Sequence, residues 1–248
     1  MRGRKLACGL LVLALCGCLP SVTPTPLPSP VILEVQASAA LLDLKNDFYE
    51  CARRENLALI VDEAADGENV RLLLRWGPPP GWNGYASVLG EDELALVAHP
   101  ANPIERLSLA SVRDLFTGKL HAWPSTGADE TEVHMWGYPA GTDIRQAYEE
   151  RVLEEPQPEG SFYVAPGPAE LREGVGADPS ALGFLPRRWV NAQVKVLPID
   201  DLDPARLRLP VLALSPAQPT EPAAGWLLCV QEQSFLTGGQ TREESNGN

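Results

Sequence analysis

A chain of 248 residues with a formal net charge of −13 and 44 % apolar residues is long enough for one large domain or two lobes, each with its own core. The acidity repels phosphate backbones and so excludes nucleic acid as an expected partner; its simplest role is to keep the protein soluble. His99, His121 and His134 are scattered, with no paired Cys or His at ligand spacing, so neither a metal nor another cofactor is expected.

At the N-terminus, Arg2, Arg4 and Lys5 precede an apolar stretch from Leu6 to Leu15, which meets Leu15-Cys16-Gly17-Cys18. That stretch is shorter than the roughly 20 apolar residues that span a bilayer, so it reads as a signal peptide rather than a permanent anchor. Leucine three places before a cysteine and a small residue just before it form a lipobox, which points to Cys18 as the acylated residue. The expected organisation begins with a signal peptide at 1–17 and a lipidated cysteine with a proline-rich tether at 18–30. In the tether, alternate prolines from Ser21 to Pro30 favour an extended spacer. Residues 237–248, almost without apolar side chains, read as a disordered tail. Cys8 and Cys16 leave with the leader and Cys18 takes the lipid, so Cys51 and Cys229 remain. A disulfide and two buried thiols both stand as readings of that pair.

Between tether and tail, strand-like and helix-like segments alternate, which predicts an α/β sheet covered by helices. Val31 to Gln36 reads as a strand, after which Ser38 caps a helix whose Leu41, Leu44, Phe48 and Ala52 recur at helical spacing to about Glu55. Leu57–Val61 and Val70–Leu74 are the next strands, and Arg75–Gly84, with three consecutive prolines, is read as loop. Leu94–Ala98 is a strand, Ser108 caps a short helix stopped by Gly118, and Val133–Tyr138 is a further strand. Thr142 or Asp143 opens a helix bearing Ile144, Tyr148 and Val152. Strands at Leu182–Leu185, Val194–Leu197 and Leu209–Leu214 and a helix over Ala223–Phe235 complete the list.

In this order the segments resemble the phosphate-type substrate-binding proteins of ABC importers. The most specific block runs from Leu96-Val97-Ala98-His99-Pro100 through Asn102-Pro103 to Leu115-Phe116-Thr117-Gly118 and Trp123. Ala140-Gly141-Thr142 is similar to the Ser-Gly-Thr of that family, and Ala181-Leu182-Gly183-Phe184-Leu185 to its Ile-Gly-Tyr strand. The resemblance implies a two-lobed, type 2 periplasmic-binding-protein-like α/β fold. Lobe 1 would be residues 31–97 plus 195–236 and lobe 2 residues 98–194, with a ligand cleft between them.

It further implies a binding function: a membrane-tethered extracytoplasmic receptor that closes on a small solute, an anion among the candidates, and presents it to an ABC permease. Ser38, Arg75, Ala140, Gly141, Thr142 and Arg145 are the expected ligand-binding residues, with Trp76 or Trp82 able to line the cleft. Simple capping accounts equally for Ser38 and Thr142, and an exposed helix face for Arg145. The acid that the family carries before its crossover is missing, with Arg71 near its place, and Ala140 replaces a serine. Inorganic phosphate is therefore expected to be a poor ligand. A ligand-free scaffold or sensor lipoprotein on the same fold is the alternative. Catalysis has no motif to support it: the chain lacks Gly-x-Ser-x-Gly, His-Glu-x-x-His and a phosphate-cradling glycine loop.

Overall fold

The computed structural model describes residues 30–62, 72–124, 131–158, 160 and 162–236. The leader with Cys18, the tether up to residue 29, Arg71 and the tail from residue 237 lie outside the described residues.

The chain opens with β1 (Val31–Ala37), then a 3-10 turn (Ala39–Leu44) that runs directly into α1 (Lys45–Arg54). The helical spacing was legible: Leu41, Leu44, Phe48 and Ala52 are all buried against the sheet. β2 (Leu57–Asp62) and β3 (Leu72–Trp76) lie parallel to β1 on either side, with Val35 level with both Val61 and Leu72. Arg75 and Trp76 thus belong to a strand and not to the loop assigned from the prolines; the loop starts at Gly77, whose φ of +57° suits glycine.

β4 (Tyr85–Ala98) is 14 residues long, where only its last five were legible from apolar content. Polar residues from Ser87 to Glu93 obscure the rest. β5 (Leu107–Ser108) leads into α2 (Leu109–Phe116), where Ser108 Oγ accepts from Ser111 N–H at 3.1 Å and Gly118, at φ +73°, ends the turn. β6 (His134–Gly137) precedes α3 (Asp143–Tyr148), which continues as a wider turn over Glu149–Leu153. β7 (Tyr163–Val164) and α4 (Pro168–Ala177) follow, neither of them among the expected elements; α4 has Pro168 in its first turn and buries Leu171 and Val175, four residues apart. β8 (Ala181–Pro186), β9 (Lys195–Val196), β10 (Ile199–Asp200), β11 (Arg208–Ser215) and α5 (Ala223–Gln231) complete the chain.

Among the described residues the main strands run in the order β2-β1-β3-β11-β4-β8-β6-β7, with β9 also on β4, while β5 and β10 form a small separate pair. The two halves of this arrangement share one strand. β4 pairs with β11 over Tyr85–Glu93 and with β8 over Leu94–Ala98, so the first half (β1, β2, β3, β11) and the second (β6, β7, β8, β9) are joined through it. Each half has its own aromatic core. Trp226 packs on Phe48 in the first and donates its Nε1–H to the Phe48 carbonyl at 2.9 Å; Phe116, Tyr148 and Phe184 stack in the second. Asn102 turns the chain after β4, accepting from Ile104 N–H and donating to the Pro179 carbonyl.

Cys51 and Cys229 form a disulfide, Cα–Cα 5.7 Å, between α1 and α5. It closes a loop of 178 residues, for which chain entropy gives a stabilisation of about 2–5 kcal/mol. We expect the Cys51→Ala/Cys229→Ala double variant to lose about 5–15 °C in Tm by calorimetry, the shift for a loss of that size in a chain of this length.

A buried ion pair sits where β4 changes partners. Arg188, just after β8, lies 3.3 Å from Asp92 of β4 and 3.7 Å from Asp43, with its guanidinium over Phe235. Burial pushes the Asp92 carboxyl up from 3.8 to about 6, against the pull of Arg188. A group whose folded-state pKa is raised binds its proton more tightly when folded, so its contribution to stability is present near pH 4 and is lost as pH rises to about 6. The loss is on the order of 3 kcal/mol. Asp92→Asn is expected to flatten the slope of Tm against pH between about 4 and 6; an unchanged slope would show that Asp92 is not the group responsible.

Candidate functional site

The expected binding residues fall into two groups. Ser38 and Arg75 lie at the ends of β1 and β3 in the first half. The Ala140–Thr142 turn and α3, with Arg145, lie at the end of β6 in the second. Both sets follow the carboxyl ends of parallel strands, where loops of an α/β sheet gather ligand-binding groups.

What joins them is Asp143, which was not among the expected ligands. Its side chain leaves the first residue of α3 and crosses to β3, where one carboxyl oxygen accepts from Trp76 N–H at 2.9 Å; the other accepts from Ile144 N–H at 3.0 Å. The residue is only 6 % exposed. Burial raises its pKa, opposed by Trp76 N–H, the Ser38 hydroxyl, the charge of Arg75 and Ile144 N–H. The Ser38 hydroxyl lies beside this carboxyl and favours its ionised form, although it stops short of full hydrogen-bond geometry. Ser38 occupies the residue before the 3-10 turn without capping it through its side chain, and its N–H donates to Leu74.

Arg75 reaches over the same junction in the other direction: its Nη2 donates to Gln146 Oε1 of α3 at 2.5 Å. Burial lowers its pKa, while Asp143 and Glu150 hold it up. Trp76, a candidate cleft wall, is instead buried in the core at 2 % exposure; Trp82 is half-buried in the loop beyond.

Arg145 is not on an exposed helix face. It is 5 % exposed, donates to Glu149, Tyr138 O and Gln157 O, and stacks on Phe162. Its partner Gln157 is also buried and accepts from Tyr148 Oη at 2.6 Å. This arginine pins the chain that returns from α3, and every part of its fork is engaged. Charge spacing along the helix had suggested solvent, because the segment that covers it comes from twelve residues further on.

The turn before α3 is plain in its geometry. Gly141 has φ +84°, with open space where a Cβ would be, and Ala140 is exposed. Thr142 Oγ1 donates to the Pro139 carbonyl at 3.0 Å and makes no side-chain cap.

Two cavities lie elsewhere. One, of about 520 Å³, runs from Val31 and Leu57 to Pro219 and Ala223; the other, of about 610 Å³, lies between Arg113 and Lys119 on one side and Glu154 and Asp201 on the other. Neither touches Ser38, Arg75 or Asp143. Among the described residues no group of three or more His, Cys, Asp or Glu could hold a metal ion, and no helix is long and apolar enough to cross a membrane.

No protein-family model matches the chain, and no curated protein sequence does. Solved structures do. A phosphate ABC transporter substrate-binding protein from Clostridium perfringens, with bound phosphate, superposes at a TM-score of 0.68 and 15 % identity, covering 80 % of this chain and 92 % of that one. An ABC-type phosphate transport receptor from Vibrio cholerae gives 0.65 and 14 %, covering 86 % and 98 %. The regulatory domain of CcmR from Synechocystis, in complex with 2-PG, gives 0.58 and 10 %, covering 82 % and 97 %. The chain has the two-lobed, periplasmic-binding-protein-like α/β fold that phosphate-type substrate-binding proteins and such regulatory domains share.

Proposed function

We propose that this chain is an extracytoplasmic solute-binding lipoprotein: Cys18 carries the lipid anchor, the proline-rich segment lifts the domain off the membrane, and the two lobes present a small solute to the permease of an ABC importer. The observation that carries this reading is that Trp76 N–H of one half donates at 2.9 Å to a carboxyl of the other, with the Ser38 hydroxyl and the Arg75 charge acting on the same group. Such a set of donors suits an oxyanion, and the Clostridium perfringens protein of the same fold was solved with bound phosphate. The function is binding and requires no chemistry.

Phosphate itself is a poor fit. β3 reads Leu-Leu-Leu-Arg-Trp, with no acid to accept a proton from a protonated phosphate, and Ala140 offers no hydroxyl. A sensor or scaffold on the same fold is the second reading, favoured because Asp143 already occupies the donors and because regulatory domains share the architecture.

Calorimetry and thermal shift on the delipidated domain, against a panel of carboxylates, sulfate, phosphate and neutral solutes, separate these readings. We expect one solute to stabilise saturably, by about 2.7 kcal/mol at 100 times its Kd, and Ser38→Ala to weaken it about tenfold or more. Micromolar phosphate binding would overturn the specificity, and a panel with no binder would favour the sensor or scaffold. Cys18→Ala should leave the detergent phase; a variant that still partitions like the parent refutes the anchor.

A further inference from the structure

We propose that Asp143 is a built-in anion: its carboxylate sits where a free oxyanion would be held between the lobes, and it latches the two halves together in the absence of solute. This does not depend on the importer reading, since a self-closed sensor and a receptor whose solute displaces the carboxylate both require it.

The two halves own different atoms of this contact. The carboxylate belongs to α3 of the second half, but its cross-junction donor at 2.9 Å is the backbone N–H of Trp76 in the first. A backbone donor cannot rotate away, so the contact fixes the position of α3 against β3. The Ser38 hydroxyl and the Arg75 guanidinium, also of the first half, favour the ionised carboxylate, and Glu150 is the other acid acting on Arg75. Arg75 is in turn held by Gln146, one turn along α3 from Asp143. Two side chains therefore cross the junction in opposite directions, and both connect α3 to the same strand.

A carboxylate so placed leaves water only because these donors replace its hydration. Being tethered, it competes with free anions at an effective concentration that dilute solutes do not match. If the latched form makes up 99 % of molecules, a solute needing the same donors binds about 100-fold more weakly than its contacts alone would allow.

Deleting the carboxyl and returning it as a free molecule tests the latch. Asp143→Ala removes the group, and formate is the probe that restores it. We expect the variant to have a lower Tm than the parent and to recover it saturably with sodium formate, while the parent shows no saturable response beyond that to sodium chloride at equal ionic strength. A folded Asp143→Ala protein that ignores formate overturns the proposal. Should the variant fail to fold, small-angle scattering of the parent without solute decides: a profile matching this closed structure supports the latch, and an expanded, open form refutes it. A parent that is closed without solute and still binds one solute saturably supports both the latch and the receptor reading, and loss of either signal alone shows which has failed.

Discussion

A single carboxyl group taken out of water governs the geometry around it. Asp143 is buried at the meeting of two halves, and an uncompensated charge there would cost several kcal/mol. The fold offers two hydrogen bonds from fixed positions, Trp76 N–H at the end of β3 and Ile144 N–H beside it, with the Ser38 hydroxyl close by across the junction. Each hydrogen bond to a charged group is worth about 1.5–3 kcal/mol, which is enough to hold the carboxylate in place only if the strand end and the helix start stay in register. The position of α3, and with it Arg75 and Gln146, follows from that requirement.

The second constraint is the strand that the halves share. β4 leaves β11 at Glu93 and takes up β8 at Leu94 without a break in the backbone, so the halves are connected by a rigid element and not only by loops. Arg188 marks the point of exchange, contacting Asp92 on the strand and Asp43 beside α1. Trp189 adds a bond from its Nε1 to Ala40 O at 2.8 Å. Arg188 and Trp189 from the second half thus both reach the 3-10 turn at Ala39–Leu44, which follows Ser38 in the chain.

Much of the scaffold was readable because its signals are local. Leu41, Leu44, Phe48 and Ala52 at helical spacing, the Ser108 cap and the Gly118 stop each depend on a few neighbours in the chain, and each lies where periodicity put it. The first nine residues of β4 were missed because their apolar alternation is diluted by Ser87, Glu91, Asp92 and Glu93. The site was half legible. Resemblance placed Ser38, Arg75 and the Ala140–Thr142 turn near one another, but Arg145 was misread, since its burial depends on Gln157 and Phe162 folding over it. Asp143 was read as a residue that could open the helix. What sets Asp143 apart is tertiary: Trp76 N–H, from a strand far away in the sequence, donates to its carboxyl.

The absence of an acid from β3 and the presence of one at the start of α3 are better understood together than apart. Two carboxylates facing each other in this junction would repel, and one would have to take up a proton. With Leu72, Leu73, Leu74, Arg75 and Trp76 as its sequence, β3 brings a cation and backbone donors but no competing charge. Burial raises the pKa of Asp143, and the charge of Arg75 acts against that rise. Had the strand kept an acid, Asp143 would lose the electrostatic part of its compensation. Had α3 begun with a small neutral residue, Trp76 N–H would need another acceptor, because a buried N–H without one costs about 1–3 kcal/mol. The departure that weakens the case for phosphate is therefore the same change that lets the protein supply its own anion.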